Sequence, residues 1–198
     1  ALEQMPGWAA GWFRLAEYAE KSGRKEAAAA ALEKVVALDP TDIFGAGLKL
    51  AGLGAAETPA TAPSPYVERL FDDYASRFDA ALVKKLDYNV PQTLARLVCS
   101  HAGEDARFSL VCDIGCGTGL FGVEFRARAD RLEGFDLSGG MLARAGEKAV
   151  YDHLAQADLS LPAKESGIFA AAPGARADLV SAADVLMYLG DLAEVFPT

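Results

Sequence analysis

The run Val111-Cys112-Asp113-Ile114-Gly115-Cys116-Gly117-Thr118-Gly119 admits few structures: the apolar segment Phe108 to Ile114 ends in an acid and three alternating glycines, and Leu120 to Arg128 then resumes a helical pattern. A short apolar run bounded by glycines predicts a strand buried on both faces, leading through a tight turn into a helix. Glycine is needed where the backbone turns sharply or where a ligand approaches with no Cβ in the way, and a helix start offers unpaired N–H groups to an anionic part of that ligand. Further strand candidates are Arg131 to Asp136, His153 to Ala157 and Ala177 to Ala183, with a helix from Gly139 to Lys148 capped by Ser138. Strands alternating with helices predict an α/β class, with βαβ units in a mostly parallel, doubly wound sheet.

Two carboxylates narrow the ligand. Asp136 closes the second strand 21 residues after the first glycine, where a carboxylate accepts hydrogen bonds from a ribose diol, and Asp158 closes the third, where a side chain meets an adenine. The glycine spacing is GxGxG, and Leu120 stands where a dinucleotide fingerprint has its last glycine. These features favour adenosine without a pyrophosphate and disfavour a nicotinamide dehydrogenase.

Composition removes other classes. Lys and Arg number 19 against 28 Asp and Glu, a net charge of −9, so nucleic acid and anionic membrane are not expected partners. Cys99, Cys112 and Cys116 are odd in number and lack metal-ligand spacing, so neither a disulfide framework nor a metal site is expected, and a reducing, cytoplasmic setting fits. His101 and His153 read as structural residues. No apolar run is long enough to span a bilayer, and the first ten residues lack the pattern of a signal peptide.

Ahead of the glycines, Trp8 to Leu38 is rich in Ala, Leu, Glu and Lys and is broken at Lys21 to Arg24, which predicts a hairpin of two helices. Trp12, Leu15, Ala16, Gly23, Ala28, Leu32 and Pro40 have the spacing of one tetratricopeptide repeat, and the segment resembles that family. Asp42 to Leu53 is a weaker third segment because of its glycines. A single repeat must lean on other segments or on a partner to bury its faces. The expected division is a helical hairpin over 1–53, a Gly/Pro/Thr/Ala linker over 54–65, and a second domain over 66–198. Within the latter, Val67, Leu70, Phe71, Tyr74, Phe78 and Leu82 continue one helical spacing from Ser64, and a helix from Pro91 carries Leu94, Leu97 and Val98.

From Tyr66 onward the chain resembles the class I S-adenosylmethionine-dependent methyltransferases. Asp113 to Gly119 is similar to that family's first motif, and Phe135-Asp136-Leu137-Ser138-Gly139-Gly140-Met141-Leu142 to its second. The resemblance implies a Rossmann-like sheet and S-adenosylmethionine as cofactor. It implies a cofactor site of Asp113, Gly115, Cys116, Gly117 and Gly119 at the methionine part, Asp136 on the ribose, Leu137 and Met141 beside adenine, and Asp158 with Leu159 at its amine. Phe71 to Asp79 is similar to a segment that covers the cofactor in quinone- and biotin-pathway relatives, which places Tyr74 there, although Tyr74 and Phe78 read equally as core. A tetratricopeptide hairpin before such a core also occurs among bacterial methyltransferases.

Ala182 to Tyr188 resembles the acceptor side, with Asp184 and Tyr188 as candidate catalytic residues. Some relatives have His at the Tyr188 position, so a histidine base is not implied, and Asp184 equally reads as a helix cap with Tyr188 packed on that helix. Family members continue past the fourth strand with three more, so the expectation is a sheet truncated on its C-terminal side and a chain inactive by itself. The expected function is methyl transfer to a small or medium-sized acceptor, with protein docking or self-association through the hairpin. The alternative is a non-catalytic adaptor or cofactor sensor.

Overall fold

The computed structural model describes residues 2–85, 87–162, 164–168 and 176–190. Contacts divide the chain into two units, Ala1–Val67 and Glu68–Thr198.

In the first unit α1 (Ala9–Lys21) and α2 (Lys25–Leu38) form the expected hairpin. Gly23 turns it at φ +71°, and the N–H of Arg24 reaches back to the Ala19 carbonyl at 2.9 Å, a left-handed helix end that favours glycine. Ala16, Ala28 and Ala31 are buried at the crossing, where small side chains let the helices approach, and Leu32 and Val35 fill the space beyond. A third helix, α3 (Ala46–Gly52), adds Ala46 and Leu50 to the same core. Two of the three glycines that weaken this segment as a repeat helix have local duties. Gly45 lies at φ +66° where a Cβ would fall 2.7 Å from the Tyr66 ring. Gly47 lets the Asp42 carboxylate close on the helix start, accepting the N–H groups of Ala46 at 2.6 Å and Gly47 at 2.9 Å.

Three helices precede the sheet: α4 (Ser64–Ala75), whose residues from Glu68 onward belong to the second unit, α5 (Phe78–Lys85) and α6 (Val90–Ala102). One helical spacing ran from Val67 to Leu82 in the sequence, yet the helix breaks at Ser76 and Arg77, because carboxylates on both sides of the break are held by other elements. On α6, Leu94 and Val98 face the core as expected, with Ala95 between them. Leu97 is a correction: at 52% exposure it lies off that face.

Among the described residues four parallel strands follow: β1 (Phe108–Ile114), β2 (Ala129–Asp136), β3 (His153–Gln156) and β4 (Leu179–Ser181), in the spatial order β3-β2-β1-β4. Between them lie α7 (Leu120–Phe125) and α8 (Gly139–Glu147). The chain steps outward from β1 through β2 to β3 and then crosses back to β4 on the other side of β1. Such a reversal opens a crevice at the carboxyl ends of the strands, here between β1 and β4. Val111 and Leu132 pack on one face against Phe121, Phe125 and α6, while Cys112, Ile114 and Phe135 pack on the other with Ala157 and Leu159.

Alternation returns Asp113 to the Val111 face, inside the core and only 1% exposed. It pairs in register with Gly134 of β2 and Ser181 of β4. The Ser181 hydroxyl donates to Oδ1 at 2.7 Å and the Tyr151 hydroxyl to Oδ2 at 2.6 Å. Burial raises the carboxyl from the ordinary 3.8 to about 6, the two hydrogen bonds oppose the rise, and Asp136 adds to it. Cys112, Cys116, Tyr88 and Tyr151 are its other titratable neighbours. A folded pKa above the unfolded value means that Asp113 adds stability below about pH 4 and that this is lost as the pH rises through about 6. Asp113→Asn stays neutral, so from pH 4.5 to 7.5 the parent is expected to lose about 2 kcal/mol relative to the variant. Urea unfolding read by disulfide-exchange labelling of the buried Cys112 and Cys116 measures the difference, and an equal pH response in both proteins would contradict it.

Candidate functional site

The turn after β1 holds three glycines at positive φ, Gly115 at 64°, Gly117 at 54° and Gly119 at 84°, each for its own reason. A Cβ on Gly115 would lie 2.4 Å from the Val185 side chain, so the loop after β4 packs directly on the turn. At Gly119 it would lie 2.9 Å from the Tyr151 ring. Beside Gly117 there is open space to 4 Å, which is where backbone can meet a ligand. Cys116 between them is buried, donates its N–H to the Phe135 carbonyl at 3.0 Å, and has a thiol held neutral by burial and by the nearby Asp113 and Asp136.

Asp136, at the end of β2, closes the turn from the side. Its Oδ2 accepts the Gly117 N–H at 2.8 Å and its Oδ1 the Ser138 N–H at 2.9 Å. Burial raises its pKa while these two bonds lower it. The Leu137 N–H also lowers it, and the carboxylate keeps acceptor capacity for a hydroxyl donor.

The segment around the helix break is fastened over these elements. Asp72 of α4 accepts the Ser138 hydroxyl at 2.5 Å and the Gly140 N–H at 2.8 Å, while Ser138 itself accepts the Met141 N–H as the cap of α8. Asp79 of α5 accepts the Thr118 hydroxyl and the Lys148 ammonium, the latter at 2.9 Å, and Lys148 also donates to the Thr118 carbonyl at 2.6 Å. A cleft of 340 Å³ lies beside this latch, between Ala75 to Asp79, Thr118 and the end of α8.

The other expected residues are placed unequally. Leu137 is half-buried, and its carbonyl accepts Gln156 Nε2 at 2.8 Å. Met141, expected beside adenine, is 1% exposed and lies within the core under α8. Asp158 turns its Oδ1 to the N–H and hydroxyl of Ser160, at 2.9 and 2.6 Å, and Leu159 packs on the sheet face of Phe135. Tyr74 stacks edge-on against Phe78 with the Arg77 guanidinium 5.6 Å from its ring centre. Tyr188 meets Phe71 edge-on at 5.2 Å. Asp184 sits at φ +55° after β4, and the Tyr88 phenol faces its carboxylate. Burial and the Asp184 charge push the Tyr88 pKa upward, which keeps the phenol protonated as a donor.

Sequence reasoning missed Tyr88, Lys148, Tyr151 and Ser181 as members of this constellation, and it included Asp72 and Asp79 only as part of the segment Phe71 to Asp79, with no role of their own. Isolated glycines inside an element signal a close approach, and Gly122 and Gly134 were such a signal for Tyr151. Among the described residues no group of three or more His, Cys, Asp and Glu is arranged to hold a metal, and no helix is long and apolar enough to cross a membrane.

Residues 9–42 match the tetratricopeptide repeat family, and residues 82–198, more than half of the chain, match a methyltransferase domain family. A malonyl-[acyl-carrier protein] O-methyltransferase of Serratia marcescens is 33% identical over 93 residues, covering 47% of this chain and 34% of its own length. Among solved structures, a DhpI–SAH complex is 29% identical at a TM-score of 0.39, over 46% of this chain and 43% of the other. An S-adenosylmethionine-dependent methyltransferase from Clostridium acetobutylicum is 23% identical at 0.36, over 46% and 38%. The chain thus spans about a third of the curated relative and under half of these two structures. The chain belongs to the methyltransferase domain family and carries one tetratricopeptide repeat ahead of that domain.

Proposed function

We propose that the second unit binds S-adenosylmethionine across the glycine-rich turn and Asp136 and directs its methyl group to a small or medium-sized acceptor. The observation that carries this is the Asp136 carboxylate, which clasps the Gly117 N–H at 2.8 Å beside open space and keeps lone pairs for a ribose diol. That is the donor and acceptor set a neutral nucleoside requires, so the residues fit the cofactor. When bound, it supplies an electrophilic sulfonium methyl that an acceptor O, N or C attacks in line. The chain's own part is alignment and exclusion of water. The Asp72 and Asp79 latches hold the covering segment against α8 and the turn, and Val185 brings the Asp184 loop against Gly115. Asp184, with the protonated Tyr88 beside it, is the acceptor-side base in this reading, and Tyr188 with Phe71 walls the same end. Asp158 and Leu159, after β3, border the adenine end, and Met141 supports it from below. The tetratricopeptide hairpin over 1–53 serves docking or self-association, with 54–65 as linker.

Calorimetry with S-adenosylhomocysteine and NAD decides the cofactor: saturable binding of the first and weak binding of the second is expected, and the reverse would overturn the reading. Asp136→Ala is expected to weaken S-adenosylhomocysteine binding by roughly 1.5 to 3 kcal/mol, the scale of hydrogen bonds to a charged group. Undiminished affinity would remove Asp136 from the ribose. Asp79→Ala, which unties the covering segment from Thr118 and Lys148, is expected to speed S-adenosylhomocysteine dissociation several-fold in stopped-flow measurements while leaving the far-ultraviolet circular dichroism unchanged.

A further inference from the structure

Tyr151 stands two residues before β3, in no motif, and the reading above gives it no role. Its ring nevertheless fills the space left by glycines of three different segments. A Cβ on Gly119 would lie 2.9 Å from Tyr151 Cε2, on Gly122 within α7 2.4 Å from Cζ, and on Gly134 within β2 2.9 Å from Cε1. Gly119 has a positive φ, so its backbone alone explains the glycine. Gly122 and Gly134 do not have one; at Gly122 the requirement is the ring itself, and at Gly134 it is the ring together with the Leu154 side chain, 2.8 Å from the Cβ position. The hydroxyl then donates to Asp113, which stands two residues before Gly115. One side chain is therefore joined to both ends of the turn, through Asp113 at the start and through ring contact at Gly119.

We propose that Tyr151 is a positioning residue that holds the turn Gly115 to Gly119 in the conformation that receives the cofactor. A turn with glycine at three of five positions has wide conformational freedom; one internal bond, from the Gly119 N–H to the Cys116 carbonyl at 2.8 Å, restrains part of it, and contacts outside the turn must fix the rest. Asp136 grips its middle at Gly117, and Tyr151 grips both ends. The functional part of the proposal rests on the turn being the S-adenosylmethionine site; the structural part does not.

The test compares Tyr151→Phe with Ser181→Ala. Each removes one hydroxyl donor from the Asp113 carboxylate, but Ser181 connects it to β4 and Tyr151 connects it to the turn. Amide exchange is followed by mass spectrometry in the ligand-free chain, and S-adenosylhomocysteine affinity by calorimetry. Tyr151→Phe is expected to raise exchange over 116–119 about ten-fold and to weaken S-adenosylhomocysteine by a similar factor. Ser181→Ala, matched in thermal stability, should leave exchange over 116–119 within two-fold of the parent. Gly122→Ala presses on the ring from α7 while removing no hydrogen-bonding group, and it too should loosen 116–119. If Tyr151→Phe and Ser181→Ala act alike on the turn, or if Tyr151→Phe and Gly122→Ala both leave it protected, the side chain only fills the core and the proposal fails. If the parent binds no S-adenosylhomocysteine, the cofactor reading fails, while the exchange comparison still decides whether Tyr151 holds the turn.

Discussion

A carboxylate buried at 1% exposure is tolerated only when its hydrogen bonds are made, and Asp113 imposes that condition on the sheet. Its two oxygens take hydroxyls from Ser181 of β4 and from Tyr151 before β3. The first requires β4 to lie in the register that sets Ser181 opposite Asp113. The second requires the phenol to cross β2, which is possible because Gly134 occupies the facing position. A slip of one residue in either pair would turn the partner to the opposite face and leave the carboxyl without a donor. Strand order, register and the geometry of the glycine turn therefore share one constraint.

The same chemistry recurs across the molecule. Asp39 and Asp42 in the first unit, and Asp72, Asp136, Asp158 and Asp178 in the second, each accept backbone N–H groups at a helix start, a turn or a strand end. A short carboxylate suits backbone donors that have no helical or strand partner. Part of the net charge of −9 is thus structural, and it serves the polypeptide's own turns. Lys148 stands against this pattern, because its ammonium joins a carboxylate on α5 to a carbonyl of the glycine turn and so couples these two segments.

In the first unit a single repeat meets the difficulty that one hairpin leaves a face uncovered. Here α3 supplies Ala46 and Leu50 to the hairpin core, and Phe13 stacks on Phe44 at 5.2 Å. Two of the three glycines that make the segment a poor repeat helix, Gly45 and Gly47, are the ones that admit Tyr66 and the Asp42 cap. Local propensity and tertiary packing ask for different residues at these positions, and packing prevails.

By itself the sequence determined the elements whose signals are local. A buried strand reads as a short apolar run, a turn as alternating glycines, a hairpin as two Ala-rich periods around Gly23, and β1 begins and ends where that pattern begins and ends. It also marked Asp136 by its place at a strand end, because the distance from turn to second strand is set by one helix and one crossover. The tertiary structure alone decided the partners that arrive from far along the chain. Asp72 reaches Ser138 across 66 residues, Ser181 reaches Asp113 across 68, and Tyr151 reaches it across 38, with no periodicity or spacing to announce them. It also decided which residues of a legible motif are exposed, burying Met141 and turning Leu97 outward. Periodicity records which residues share a face of their own element. Which neighbour covers that face, and which polar group the neighbour offers, is settled only when the sheet order brings the elements together.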